Sequence, residues 1–238
     1  MLRKSFVFAG VFAAAMLGGC DSGPTEHTRD FNELIPRMLG AINKSTPEEA
    51  AANLFKVTSP DEQRDAIAYL ETKPYGHQPP YMKAYELLAT APNPMVRAQA
   101  MRALGTSYQA DAGVYLAKGL DDSDNVEVRR DAAYGLISTW NDAAFAPLVK
   151  HVTDDPDALV RGYCARALSH ARTTDAIHAL ITALTDEDAA VTHFAHSSLV
   201  SVTGQDMSYD TKAWLNWYRA AYTAPTSAPV VPGTTRPG

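Results

Sequence analysis

Histidine and cysteine are the residues of this 238-residue chain best suited to hold a metal or attack a substrate. His193 and His196 stand three apart, a spacing that can turn two imidazoles toward one ion. His170 and His178 precede them. Zinc catalysis normally takes three protein ligands and leaves one position open. The sequence has no His-x-x-x-His, no His-Glu-x-x-His and no paired cysteines. Cys164 stands among small apolar residues and reads as a buried hydrophobe. A Gly-x-Ser-x-Gly elbow, a phosphate-binding loop and a dinucleotide fingerprint are all missing. Carboxylate pairs such as Asp154-Asp155 fall where turns are expected, and there they cap helices rather than transfer protons. These residues therefore point away from an enzyme and from any cofactor.

A different pattern is strong. Arg97, Arg129 and Arg161 are spaced by 32, with Thr192 at the corresponding place in a fourth copy. Val96, Val128, Val160 and Val191 precede them. Ala100, Ala132, Cys164 and Ala195 follow one turn on, then Leu104, Leu136, Leu168 and Leu199. Within each copy these apolar positions fall on one helical face. Leu88, Leu120, Val152 and Leu184 mark a second helix upstream of each, with Leu116, Leu148 and Leu180 a turn earlier. Each unit is then a helix pair, A followed by B, joined by an acidic turn. Helix starts are expected at Asn93-Pro94, at Asp124 with Glu127 three residues on, and at Asp155-Pro156. No single pair can bury its own apolar faces, so neighbours must stack.

The acidic turn followed by Val-Arg, Ala and Ala-Leu, clearest in 124–136 and 155–168, resembles HEAT-like repeats of the phycobilisome-lyase type. The resemblance covers about residues 81–203. It implies an all-α, right-handed solenoid of stacked antiparallel helix pairs with a period of about 32 residues. It also implies a ladder in which Arg97, Arg129 and Arg161 pair with Asp122, Asp154 and Asp186 from neighbouring turns. Such pairs fix stacking geometry more than they add stability. Tetratricopeptide markers are limited to Leu104-Gly105 and Tyr108, and the Thr-Pro-Leu-His pattern of ankyrins is missing. Deoxyhypusine hydroxylases build a metal site on HEAT-like repeats from His-Glu pairs, and this chain has no His-Glu dipeptide.

The ends differ from the array. Residues 31–80 read as a degenerate N-terminal helical cap, containing 47–57 and 60–73 and a 75–80 loop, with Arg64 near the arginine register. Gly204 is expected to stop the last B helix, and residues 204–222 read as a C-terminal capping helix running from about 210 to 221. Trp214, Trp217 and Tyr218 share one face of it and are expected to close the last core. Residues 223–238, rich in Pro, Thr and Ala with Arg236 the one charge, are expected to stay disordered.

Residues 1–19 carry Arg3 and Lys4, then an uncharged apolar run too short for a comfortable membrane span. They end in Leu17-Gly18-Gly19-Cys20, which resembles the bacterial lipobox. The resemblance implies a signal peptide over 1–19, a lipid (palmitate among its chains) on Cys20 and a tether over 20–30. The chain is then expected in a bacterial cell envelope, facing the periplasm, and Asp21 tilts the expectation to the inner membrane. The net charge is −6, and loss of Arg3 and Lys4 leaves 19 basic against 27 acidic residues. Without a basic cluster, nucleic acid is excluded as a partner.

Together these features predict a monomeric, non-catalytic scaffold for protein–protein interaction, anchored to a membrane. In such solenoids the B helices line the concave face. Helical phase puts Gln99, Arg102, Asp131, Tyr134, Tyr163, Arg166, His193 and Phe194 there. Arg102, Tyr134, Tyr163, Arg166 and His193 are the candidate residues for a protein or peptide partner, because Arg and Tyr are enriched in binding hot spots. The alternative is a lyase-like or chaperone-like HEAT protein acting on a cofactor-bearing partner. A metal-binding enzyme on a HEAT scaffold is a second alternative.

Overall fold

A computed structural model of the chain describes residues 46–122 and 125–223, and every regular element among them is helical. The expected signal, tether and Cys20, the start of the N-terminal cap, Asp124 and the tail from 224 on lie outside the described residues. Five pairs follow one another. The A helices are α1 (Pro47–Asn53), α3 (Tyr81–Leu88), α5 (Gly113–Leu120), α7 (Phe145–Asp154) and α9 (Thr174–Ala183). The B helices are α2 (Pro60–Glu71), α4 (Pro94–Gly105), α6 (Val126–Leu136), α8 (Ala158–Ala167) and α10 (Ala189–Thr203). A last helix, α11 (Thr211–Tyr218), packs on α9. The 75–80 loop begins as a 3₁₀ turn, Pro74–His77.

Stacking follows from the seam. Val96, Val128, Val160 and Val191, the Ala/Cys row and the Leu row below it have no exposed surface at all. Each buried Val or Leu contributes about 1.5–3 kcal/mol. Leu116, Leu120, Leu148, Val152 and Leu180 fill the A side of the same core. Neighbouring B helices pack more closely than neighbouring A helices. The closest approach is between α4 and α6, where a Cβ added to Gly105 would sit 2.5 Å from the Gly135 Cα. Two facing glycines let the backbones meet there. Thr139 Oγ1 donates to the Gly105 carbonyl at 2.9 Å, tying the same two repeats together.

Short polar side chains start the B helices. Asn93 accepts from the N–H groups of Met95 and Val96, with Pro94 in the first turn. Asp188 does the same for Ala190 and Val191. Two expected starts shift. The cap of α6 is Asn125, one residue after the expected position. The cap of α8 is Asp157 rather than Asp155, because the Asp155 carboxylate is engaged by Arg129 and by the Asp157 N–H. At the far end Gly204 adopts φ 69°, the left-handed conformation that closes a helix without a Cβ clash. Trp214 is fully buried, donates its indole N–H to the Ser208 carbonyl and stands edge-on to Trp217.

Candidate functional site

Two polar systems run across the repeats, one along the A–B turns and one along the B helices. At the turns, Arg97 Nε donates to Asp122 Oδ2 at 2.8 Å. Arg161 Nε and Nη2 donate to the two oxygens of Asp186 at 2.6 and 2.8 Å. The middle rung corrects the sequence reading: Arg129 Nε reaches Asp155 Oδ2 at 2.8 Å, not Asp154. Pro156 supplies the reason. A residue before proline is disfavoured in the helical region, so Asp155 turns extended (φ −69°, ψ 133°) and inward. Asp154 stays on the last turn of α7, exposed, and accepts from the Thr153 hydroxyl.

Each rung also staples its own turn. Arg129 Nη1 donates to the Asp122 carbonyl and Arg161 Nη1 to the Asp155 carbonyl. The second oxygen of each aspartate accepts a backbone N–H two or three residues on, from Asn125, Asp157 and Asp188. Burial opposes the charge on Asp186, yet Arg161 and the Asp188 N–H hold its carboxyl below the usual range. The guanidiniums are nearly buried, so these rungs join consecutive repeats rather than offer charge to a ligand. Arg64 pairs within its own helix, with Asp61 and Asp65.

The B helices carry the surface candidates. Arg102 on α4 spans to Asp131 on α6, with Nη2 3.0 Å from Oδ1. Next along, Tyr134 on α6 meets Tyr163 on α8 edge to face, centroids 5.3 Å apart. Arg166 on α8 then lies over the Phe194 ring of α10 at 6.0 Å, and His193 sits 5.9 Å from the same ring. The five candidates thus follow one line down the B row. Between Arg102 and Tyr163 a cleft of about 440 Å³ opens, lined also by Thr106, Glu127, Arg130, Asp131, Tyr134 and Leu159. Tyr134 is 54% exposed and Leu159 47%, so both offer apolar surface to whatever enters the cleft.

At the upstream end of this line, Glu71 on α2 accepts from Gln99 Nε2 at 3.1 Å, while its other oxygen is buried without a partner. Burial lifts its carboxyl to about 7, against the pull of the Arg102 charge. Burial also raises the Asp131 carboxyl, and there too Arg102 opposes it. The Arg102 charge therefore acts on both acids, through direct hydrogen bonds to Asp131 and through space on Glu71. Sequence reading missed Glu71, Leu159 and a second inter-repeat bridge, Arg130 to Asp157, at 2.6–3.0 Å. It also missed His151, whose Nδ1 lies 3.0 Å from Asp155 and whose Nε2 lies 3.0 Å from Asp121. The Pro after Asp155 is the one signal that could have found the middle rung.

The remaining histidines separate. His193 Nδ1 faces the Tyr209 hydroxyl at 3.3 Å, and His196 Nε2 faces Asp206 at 2.9 Å, which keeps the Asp206 carboxyl below its ordinary range. His170 meets the Ile137 carbonyl at 2.7 Å, and His178 stacks near Tyr218. Among the described residues no group of three His, Cys, Asp or Glu side chains is arranged to hold a metal ion. Cys164 is fully buried, and burial pushes its thiol well up, away from the reactive thiolate. No described helix is long and apolar enough to cross a membrane.

Residues 160–186 match the PBS lyase HEAT-like repeat, a window that runs from Val160 through Arg161 to its rung Asp186. No curated protein matches the chain by sequence. Among solved structures, a chain of the complex of CpcE and CpcF of phycocyanin lyase from Nostoc sp. PCC7120 is similar at 23% identity and a TM-score of 0.57. That match covers 68% of this chain and 66% of the other, so this chain spans just under two thirds of its length. An engineered protein from the Northeast Structural Genomics Consortium is similar at 21% identity and a TM-score of 0.55, over 74% of this chain and 90% of its own. A second engineered protein gives 22% and 0.53, over 76% and 55%. These likenesses, with the repeat match, establish an all-helical solenoid of HEAT-like repeats.

Proposed function

We propose that the chain binds another protein along its B-helix face, the concave side expected of such a solenoid. The observation that carries this reading is the line from Arg102 through Tyr134 and Tyr163 to Arg166. Arg102, Tyr134 and the partly exposed Tyr163 line an open cleft there, and Arg166 stands over the next ring in the row. Binding energy concentrates in such groups, roughly 2 kcal/mol or more for a hot-spot residue. Replacing Arg102, Tyr134, Tyr163 and Arg166 together with Ala is expected to lower partner affinity at least a hundredfold while leaving helicity unchanged. Crosslinking in native membranes followed by mass spectrometry reads the outcome, and an unchanged partner set sinks the assignment.

The likeness to a phycocyanin lyase complex favours a more specific version over a passive scaffold. In it the chain acts lyase-like or chaperone-like on a partner that carries a bilin. The same capture distinguishes the two, because a bilin-bearing partner absorbs above 300 nm and a colourless one removes this version. We infer further, from Leu17-Gly18-Gly19-Cys20, that a lipid on Cys20 tethers the solenoid to a bacterial membrane. Labelled palmitate is expected to enter the chain and to be lost in Cys20→Ser. Equal labelling of both would remove the tether from the proposal.

A further inference from the structure

One acid beside the B-helix line is left half satisfied. Glu71 is the last residue of α2, where the carbonyl end of the helix opposes a negative charge. Gln99 Nε2 donates to its Oε1, while Oε2 is buried without a partner. A buried carboxylate oxygen with no donor disfavours the charged form, so Glu71 keeps its proton up to about 7. Arg102 stands one turn after Gln99 on α4, and residues so spaced are neighbours on a helix surface. It spends Nε and Nη2 on Asp131 of α6, which leaves Nη1 of the fork for a second acceptor. The Arg102 side chain is 53% exposed against 15% for Asp131, so the arginine is the partner with room to move.

The other groups that bear on this pair do not replace it. Asp131 repels charge on Glu71. Glu127 of α6 adds to the pull on Arg102 and accepts from Arg130. The Tyr85 hydroxyl of α3 is buried without a partner, and burial and the Glu71 charge push it upward. It stays neutral and makes a weaker hydrogen bond to a carboxylate than a guanidinium does. Between the ordinary glutamate range and about 7, the folded chain keeps a proton that the unfolded chain has released. Stability therefore falls as pH rises through that window, unless a cation reaches the carboxylate. Arg102 is the cation at hand.

We propose, taking the B-helix face as the binding surface, that Glu71 and Asp131 compete for Arg102, and that ionised Glu71 draws the guanidinium out of the cleft beside Tyr134. With Glu71 protonated, Arg102 stays on Asp131 at the cleft wall and is presented to a partner. With Glu71 ionised, Arg102 turns toward α2, and partner affinity falls as pH rises past neutrality.

The test follows the Arg102 side-chain nitrogens and the Tyr134 ring protons by NMR in the free full chain, from about pH 5.5 to about 8.5. Both are expected to move with one midpoint near 7. Glu71→Gln is expected to abolish the movement and hold both at their low-pH positions, with helicity unchanged. Asp131→Asn removes the competitor and is expected to lower the midpoint by roughly half a unit or more. No movement in the wild-type chain, movement that persists in Glu71→Gln, or an unshifted midpoint in Asp131→Asn each overturns the proposal. Pull-down from membrane extracts then reads the consequence. The wild-type chain should retain at least about fivefold more partner near pH 6 than near pH 8, and Glu71→Gln equal amounts at both. Moving Arg102 resonances with equal capture at both pH values would take Arg102 out of the contact. That result counts against the B-face reading, whereas flat resonances count against the switch alone.

Discussion

Asp154 and Asp155 are adjacent and chemically identical, and they divide the work of the middle turn unequally. Asp155 is 3% exposed and receives Arg129, the His151 ring and the Asp157 N–H. Asp154 is exposed and meets the neighbouring Thr153 hydroxyl. Removing one partner of a buried ion pair leaves the other charge uncompensated, at a cost of about 3–5 kcal/mol. Surface changes away from such features stay within about 0.5 kcal/mol. Asp155→Ala is therefore expected to lower stability by about 3 kcal/mol or more, and Asp154→Ala to leave it nearly unchanged. Urea denaturation midpoints of the two variants check this, and equal losses would return the rung to Asp154.

At the level of the helices, much was legible because the signals are local. The Val, Ala/Cys and Leu rows at helical spacing predicted the seam, and all twelve of those side chains have no exposed surface. Caps read less cleanly. Asn93 keeps its expected role, while α6 and α8 start later than their Asp and Pro residues suggest. A carboxylate can cap or pair, and which it does depends on the arginine that the previous repeat brings near. The B-face line was legible as a set, since helical phase puts Arg102, Tyr134, Tyr163 and Arg166 on one side. Its pairings were not, because Arg102 meets Asp131 and Tyr134 meets Tyr163 only through the lateral registration of stacked helices. His151 was invisible for the same reason: its two carboxylates come from different turns and belong to no motif. Gly105 carried a different message from the tetratricopeptide hint. With Gly135 it marks the crossing where two B backbones touch.

For the repeat array as a whole, the buried core is continuous but each repeat touches only its neighbours, so stability is a sum of repeat terms and contacts between neighbours. Each inner pair is covered on both sides, while in the last pair α9 relies on the C-terminal helix for cover. Trp214 on α11 is the largest fully buried side chain, and α11 packs on α9. Truncating a buried Trp to Ala costs about 3–5 kcal/mol. In a globular core that loss spreads over the whole molecule. Here it should stay near the end that loses its cover. Trp214→Ala is expected to speed amide hydrogen exchange strongly in α9 and α10, less in α7 and α8, and not measurably in α2 to α4. Exchange that rises equally from α2 to α10 would mean that the repeats unfold as one unit. The rungs at Asp122, Asp155 and Asp186 would then couple neighbours more strongly than the exposed turns between them suggest.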